Sequence, residues 1–560
     1  MESNPEFELH QHMGPAPSAE TLHVTRSLAE KTSDAQLFPP NVSGEDPDRP
    51  ASDQSATGPE YASGLRLVII VTTICFSTLL TALDLGIVAT AIPAITDEFH
   101  QLEQVGWYGS AIFLLAGTTS PMWGKVYRYM NAKIVYLAAF AIFLIGSLVA
   151  ALAPNSIALV VARAIQGWGC AGTLSGSVLM INYVVEPKAR PLYIGLWMGV
   201  FMISTILGPL IGGAFTTNVT WRWCFWVNLP VGGPVVVLIL LFFYVPRHVQ
   251  TTAATWKEIV LQLDLPGFVF LLTSLICFTL ALQWGGQTKP WSDGSVIAVL
   301  VMWITLTLSF ILIEWWQGSY AMVPLNLMRT RMTWSNSLYG LINNLTNFQS
   351  IFYLPIYFQS IHGQSAIISG VNNLPYVAFF AAGTTLCGYL ISKTGFIQPF
   401  YLASALLSTA GAALLYTLDV DSSLARYVGP QLLLGFGVGL GNQIPMTAVQ
   451  SFSKPEDVES ATGIMLMFNA LSGAYFVTAA QSLFANRLLQ ELSSIAPNLD
   501  LAKVLATGAT QIRQIFSGTD LDAVLKAYMV GIKDVFAFSM AGAGLTVLLA
   551  LLIPSTRLNR

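Results

Sequence analysis

Two ionisable residues stand inside apolar runs of this 560-residue chain. They are Asp84, in Leu83-Asp84-Leu85-Gly86-Ile87-Val88, and Arg163, in Val161-Ala162-Arg163-Ala164-Ile165. A charge placed at membrane depth costs a few kcal/mol on insertion scales, so it faces a cavity or a partner and marks a functional site by default. Counted along a helix from Leu67, Asp84 sits about 25 Å from the inner end; counted from Ser156, Arg163 sits about 10 Å below the outer end. The two depths agree. We therefore expect Asp84 and Arg163 to approach one another, directly or through water. A structural ion pair, or an arginine reaching to the interface, are the simpler alternatives.

Uncharged polar residues cluster in the second half. Asn343, Asn344, Asn347 and Gln349 share one apolar stretch, Asn372 and Asn373 the next, and Asn442, Gln443 and Asn469 lie further on. Such side chains can bind helices together or line a cavity for an amphipathic solute. Gln443 and Asn469 are the leading cavity candidates. Asn343, Asn347, Phe348 and Tyr353 follow, although core or lipid packing suffices for each aromatic ring alone. Asp264 precedes Leu265-Pro266-Gly267 and reads as a helix cap. Glu314 reads as interfacial.

Other chemistries find little support. The cysteines (Cys75, Cys170, Cys224, Cys277, Cys387) each sit in an apolar stretch and read as packing residues. The six histidines form no ligand cluster, so no metal site is expected. No nucleophile–base pair or phosphate loop survives its context, so no catalytic residue and no cofactor is assigned. A net charge of −4 gives no basis for nucleic-acid binding.

The elements that must hold these residues are membrane helices. The chain is 54% hydrophobic and 10% charged, against about 25% charged in soluble chains. Fourteen windows suit a span of about 20 apolar residues, the first at 66–91 and the last at 532–554. Twelve or thirteen spans with a re-entrant segment also fit parts of the pattern. Lys125, Arg128, Lys133, Lys188, Arg190, Arg247, Lys257, Arg329, Arg331, Lys393 and Lys454 fall in one set of loops. The opposite short loops hold little beyond Arg222 and Lys289. That bias puts both termini in the cytoplasm. Residues 1–64, rich in Pro, Ser, Asp and Glu, read as a disordered cytoplasmic tail. The polar, mildly helical stretch 486–531 becomes an outer loop. The Asn218 sequon faces outward but lies too near the membrane for ready glycosylation, and Asn41 stays inside.

Gly124-Lys125-Val126-Tyr127-Arg128, with Lys133 following, and Gly388 to Gly395, with Lys393, end corresponding helices alike. Two related halves are expected, although any tight inward loop favours Gly and Lys. Gly195, Gly199, Gly208-Pro209 and Gly212-Gly213 line one span, and small residues permit close helix approach.

In order and spacing these segments resemble the major facilitator superfamily, in its fourteen-helix drug:proton antiporter branch and especially its fungal members. Leu83-Asp84 through Pro93 is similar to the branch's first-helix signature. Arg163-Ala164-Ile165-Gln166-Gly167-Trp168-Gly169 resembles its fourth-helix motif. Gly208-Pro209-Leu210-Ile211-Gly212-Gly213 resembles the fifth-helix antiporter motif, and Trp221-Arg222-Trp223 through Gly233 the entry to helix six. The resemblance implies an all-α membrane fold: six-helix bundles at 65–245 and 336–555, a linker at 246–335 carrying two extra helices, and a short tail at 556–560. It implies proton coupling through Asp84, Arg163 and Gln166, with helix five sealing against leak. Solute contacts come from the polar and aromatic residues of helices 9, 12 and 13. The inner-loop motif keeps Gly124 and Lys133 but has Arg128, Tyr129 and Asn131 where the family usually has Asp, Arg and Gly, so the usual charge relay is altered. Ser204 replaces a frequent glycine. The expected function is proton-gradient-driven efflux of a drug, toxin or secondary metabolite by a monomer in the plasma membrane. Vacuolar transport or uptake of a siderophore or amino acid, and a transporter-like receptor, are the competing readings.

Overall fold

The computed structural model describes residues 61–99, 105–246, 249, 251–501, 504 and 511–557. Most of the expected N-terminal tail, with Asn41, lies outside the described residues, as do Arg247, Lys503 and residues 558–560 of the short C-terminal tail. Among the described residues, fourteen long helical elements follow one another. They are α1 (Gly64–Phe99), α2 (Val105–Tyr129), α3 (Ala132–Ala151), α4 (Ser156–Val184), α5 (Arg190–Asn218), α6 (Asn228–Phe242), α7 (Leu265–Trp284), α8 (Gly294–Gln317), α9 (Arg331–Ser360), α10 (Ala366–Thr394), α11 (Gln398–Tyr416), α12 (Leu424–Asn442, then Ile444–Phe452), α13 (Val458–Ser472 continuing through Thr478–Ile495) and α14 (Gly518–Leu552).

Local sequence explains many of the starts. Asn131, Asn155, Asp264, Asp293, Thr330 and Ser365 each turn a side-chain oxygen onto an unsatisfied amide of the first turn. Pro191, Pro266, Pro399 and Pro445 occupy first-turn positions where no amide is needed.

Twelve stretches among the described helices are long and apolar enough to cross a membrane. The two long helices outside that set are α2, with 25 residues, and α9, with 30. Both have the length, and their polar side chains are largely buried against neighbouring helices. By contrast α8 leaves Val301, Ile304, Leu308 and Leu312 more than half exposed, a face suited to lipid.

Within the first six helices α1 packs on α5, α3 on α4, and α2 on α4. Within the last six, α12 lies between α10 and α11, and α14 packs on α9, α11 and α13. The two sets meet along α5–α10 and α2–α13, while the α7–α8 hairpin leans on α2 and α13.

The stretch 486–531 contains less loop than expected. α13 continues to Ile495 and α14 starts at Gly518, so much of 486–531 is helix. Leu488, Leu492, Val504, Ile512, Phe516 and Val524 share one buried cluster, which explains why this polar stretch folds down. Glu314, in the last turn of α8, is 5% exposed and so faces protein rather than solvent.

Candidate functional site

Asp84 on α1 and Arg163 on α4 form an ion pair, and neither side chain has any exposed surface. The guanidinium is held on several sides. Its Nε donates to the Tyr108 carbonyl at 3.0 Å, Nη1 to Gln166 Oε1 at 3.0 Å, and Nη2 to the Asp84 carbonyl at 3.3 Å. Gln166 lies three residues after Arg163 and so shares its helix face. Its amide donates to Asp84 Oδ1 at 3.1 Å and to Ser147 Oγ at 2.9 Å. Asn228, at the start of α6, makes the same two bonds at 3.2 and 3.1 Å. Asp84 thus has one oxygen on a cation and the other on two amides. Ser147 and Asn228 complete the site and were not assigned from sequence. Asn228 stands inside the Trp-Arg-Trp segment, where a lone amide before an apolar run was the available signal; nothing distinguished Ser147.

Glycines let α1 and α5 close over this pair. A Cβ at Gly208 would lie 2.8 Å from both Leu83 O and Ile87 N, and one at Gly212 would lie 2.5 Å from Ile87 O. Pro209 packs its ring against Gly86. Gly213 has open space beside it, so it takes no part in this contact. Ser204 keeps the packing by turning its hydroxyl onto the Val200 carbonyl at 2.7 Å. At the C-terminal end of α1 Glu98 accepts from Trp221 Nε1 at 2.7 Å and pairs with Arg222 at 2.8 Å. The Arg222 guanidinium holds the Glu98 carboxyl below the usual carboxylate range. Asn218, at the end of α5, is exposed and bonds back to Ala214 O.

A central cavity of about 90 Å³ lies between the two sets of helices. Asn347, Phe348 and Asn469 line it, with Asn344 and Asn442 beside them. Asn344 Nδ2 donates to Asn469 Oδ1 at 3.0 Å, joining α9 to α13. Asn343, Tyr353 and Gln443 lie elsewhere. Asn343 faces Val438 O on α12, Tyr353 packs edge-on to Phe484, and Gln443 sits at the break in α12 against Gly195 and Gly388. The first half supplies Phe113, Trp197, Phe201 and Met202. Sequence reading missed these, because an apolar residue facing a cavity looks the same as one facing the core. Leu85 reaches the cavity while its neighbour Asp84 turns toward α4 and α6.

At the end bearing the basic loops, α2 and α13 close tightly. A Cβ at Gly124 would lie 2.6 Å from Glu459 O. Arg128, where the family pattern has an acid, pairs with Asp457 at 3.1 Å, and Tyr183 donates to Glu459 at 2.8 Å. Lys133 donates to Leu240 O at 2.7 Å and ties α3 to α6. The altered loop therefore keeps an electrostatic contact between the halves with one sign reversed. The Arg128–Asp457 pair, with each side chain 24% exposed, is worth about 0.2–1 kcal/mol. Arg128→Asp should open this end, raising maleimide labelling of a Ser460→Cys variant, and adding Asp457→Arg should restore the low rate. Equal labelling in the single and double variants would deny the pair this role.

Comparison with known proteins agrees with this geometry. Residues 74–477 match the Major Facilitator Superfamily profile. The chain is 63% identical over 536 residues to an efflux pump, notK, of Aspergillus sp. (strain MF297-2), covering 96% of this chain and 94% of the relative. It is 57% identical over 558 residues to a dehydrocurvularin exporter of Alternaria cinerariae, covering 100% and 94%. Among solved structures, the proton:xylose symporter XylE superposes with a TM-score of 0.54 at 13% identity, over 88% of this chain and 96% of that one. The human organic anion transporter MFSD10 gives 0.54 at 14% identity, over 86% and 100%. These likenesses concern the fold. The paired helix sets, the intramembrane ion pair and the sequence match lead to one conclusion: this chain belongs to the Major Facilitator Superfamily, as a multi-pass membrane transporter.

Proposed function

We propose that the protein is a proton-driven exporter of an amphipathic secondary metabolite, working as a monomer in the plasma membrane, without a bound cofactor or catalytic chemistry. The observation that carries this is the buried Asp84–Arg163 pair set one residue away from the wall of a central, mostly apolar cavity. The names of relatives at 57–63% identity support export, and dehydrocurvularin is the first solute to try. We take α2 and α9 as spans, which makes fourteen, with bundles at 65–245 and 336–555 and the α7–α8 hairpin between them.

Asp84 can exchange a proton, whereas Arg163 keeps its charge. Protonating Asp84 removes the counter-charge and leaves a buried guanidinium. Breaking such a pair costs about 3–5 kcal/mol, enough to favour another arrangement of α1 and α4. Asp84 turns away from the cavity, so proton and solute act through helix movement rather than by sharing one surface. The present cavity of about 90 Å³ is far below the roughly 300–1,000 Å³ of drug-sized sites. Solute entry therefore requires the helix sets to separate.

Deleting the gene should raise cellular accumulation of, and sensitivity to, dehydrocurvularin or another member of an amphipathic panel. The wild-type chain should reverse both effects. Lower accumulation in the deletion strain would point to uptake and sink the export reading.

A further inference from the structure

Three buried charged side chains lie away from Asp84, where the α7–α8 hairpin leans on the basic-loop end of α2. Lys125, Asp264 and Glu314 are 3, 1 and 5% exposed. Burying ions costs several kcal/mol each, so each must be matched.

Lys125 leaves α2 and donates to the carbonyls of Gln262, Tyr320 and Ala321 at 2.7, 2.9 and 2.5 Å. An ammonium has three donors, so Lys125 offers the carboxyls charge but no hydrogen bond. Asp264 is fully matched. Its Oδ1 accepts from Gly267 N at 2.8 Å and Gln317 Nε2 at 2.6 Å, and its Oδ2 from Met322 N at 2.8 Å. It holds this place at φ 49°, in the left-handed region that a non-glycine residue rarely adopts. Glu314 is only half matched. Oε2 accepts from Val323 N at 2.7 Å. Oε1 is buried with no donor among the described residues, and Asp264 is the neighbouring carboxyl, since the two acids accept from the consecutive amides of Met322 and Val323.

Two adjacent buried carboxylates and one lysine leave a net negative charge, and like charges this close do not both ionise readily. A proton on Glu314 Oε1, donated toward Asp264, removes the excess charge and satisfies the orphan oxygen together. We propose that Glu314 and Asp264 form a second proton-binding site, separate from Asp84, holding its proton on Glu314 while α2 closes the inner gate.

Release has a route. A pocket of about 270 Å³ meets Lys125 and is lined also by Arg128, Gln262, Ser319, Lys454 and Asp457. When α2 swings out, Lys125 leaves its carbonyls and water enters. The O–H bond at Oε1 then breaks, its electron pair stays on the carboxylate, and the proton passes to water. The charged groups facing the site are Lys125 and Arg128 on α2 and Asp264 before α7. Across the pocket stand Lys454, Glu456 and Asp457. The use of this proton in transport rests on the proton-coupled reading; its existence does not.

Infrared titration of the full-length protein in lipid tests it. At neutral pH the wild type should show the C=O stretch of a protonated carboxyl. Glu314→Gln should remove that band and Asp84→Asn should keep it. Lys125→Met, which deletes a cation, should raise the midpoint pH by about one unit or more. Asp264→Asn, which deletes a like charge, should lower it and serves if Glu314→Gln does not fold. A band that survives in folded Glu314→Gln, or midpoints that do not move in these opposite directions, would overturn the second site. Asp84→Asn protein that still transports on a proton gradient would instead refute the coupling reading and leave this site standing.

Discussion

Asp84→Asn should reduce proton-driven transport to the level of empty vesicles while the protein remains folded. Asparagine keeps the volume and an acceptor oxygen for Arg163, and Arg163 retains its bonds to the Tyr108 carbonyl and to Gln166. What disappears is the one group of the pair that can take up and release a proton. The substituted amide would therefore hold the site in its protonated-like state at every pH. Arg163→Ala should behave differently. It leaves a buried carboxylate with two amide donors and no cation, a loss of about 3–5 kcal/mol that Asp84 partly escapes by binding a proton. Thermal unfolding in detergent should place both variants below the wild type, because in Asp84→Asn the buried guanidinium keeps its charge without a counter-ion. Asp84→Asn protein with full proton-driven flux would remove Asp84 from the coupling step.

Gly208→Val should be strongly damaging at the contact of α1 with α5. Even the first carbon of the new side chain would lie 2.8 Å from Leu83 O and Ile87 N, backbone atoms that move only if α1 moves. Overpacking of this kind costs about 1–3 kcal/mol, sometimes more, and here it would pry α1 from α5 beside Asp84. We expect lost transport together with a passive proton leak, read as a dye-reported pH change in proteoliposomes without solute. Gly213→Ala supplies the contrast. Gly213 belongs to the same motif but meets nothing within 4 Å, so alanine should leave flux and leak unchanged. Equal damage from both substitutions would mean that the motif acts through something other than this contact.

The charges were the most legible part of the site. An acid and an arginine at one depth in lipid have few ways to avoid each other, and helix geometry alone gave the depth. The resemblance supplied the order of the motifs and their roles. The cavity was legible on one side only. Asn347 and Asn469 stand out as amides in apolar helices, whereas Phe113, Trp197 and Met202 carry no such mark. Gln443 carries the same mark as Asn347 and Asn469, and it packs at the break in α12 against Gly195 and Gly388, away from the present cavity. The length of α13 and α14 was hidden because hydropathy measures what suits lipid, not where a helix stops. Asp264 read correctly as a cap, but its meeting with Glu314 and Lys125 joins distant segments of the chain and could not be read from any one of them.

The most direct test uses inside-out membrane vesicles, acidified within, and a compound that the deletion strain over-accumulates. Vesicles bearing the wild-type chain should take up the compound against its gradient, and a protonophore should release it. Those bearing Asp84→Asn should match empty vesicles. Uptake that persists after the protonophore, or that is equal in the two proteins, would contradict proton-driven export through Asp84.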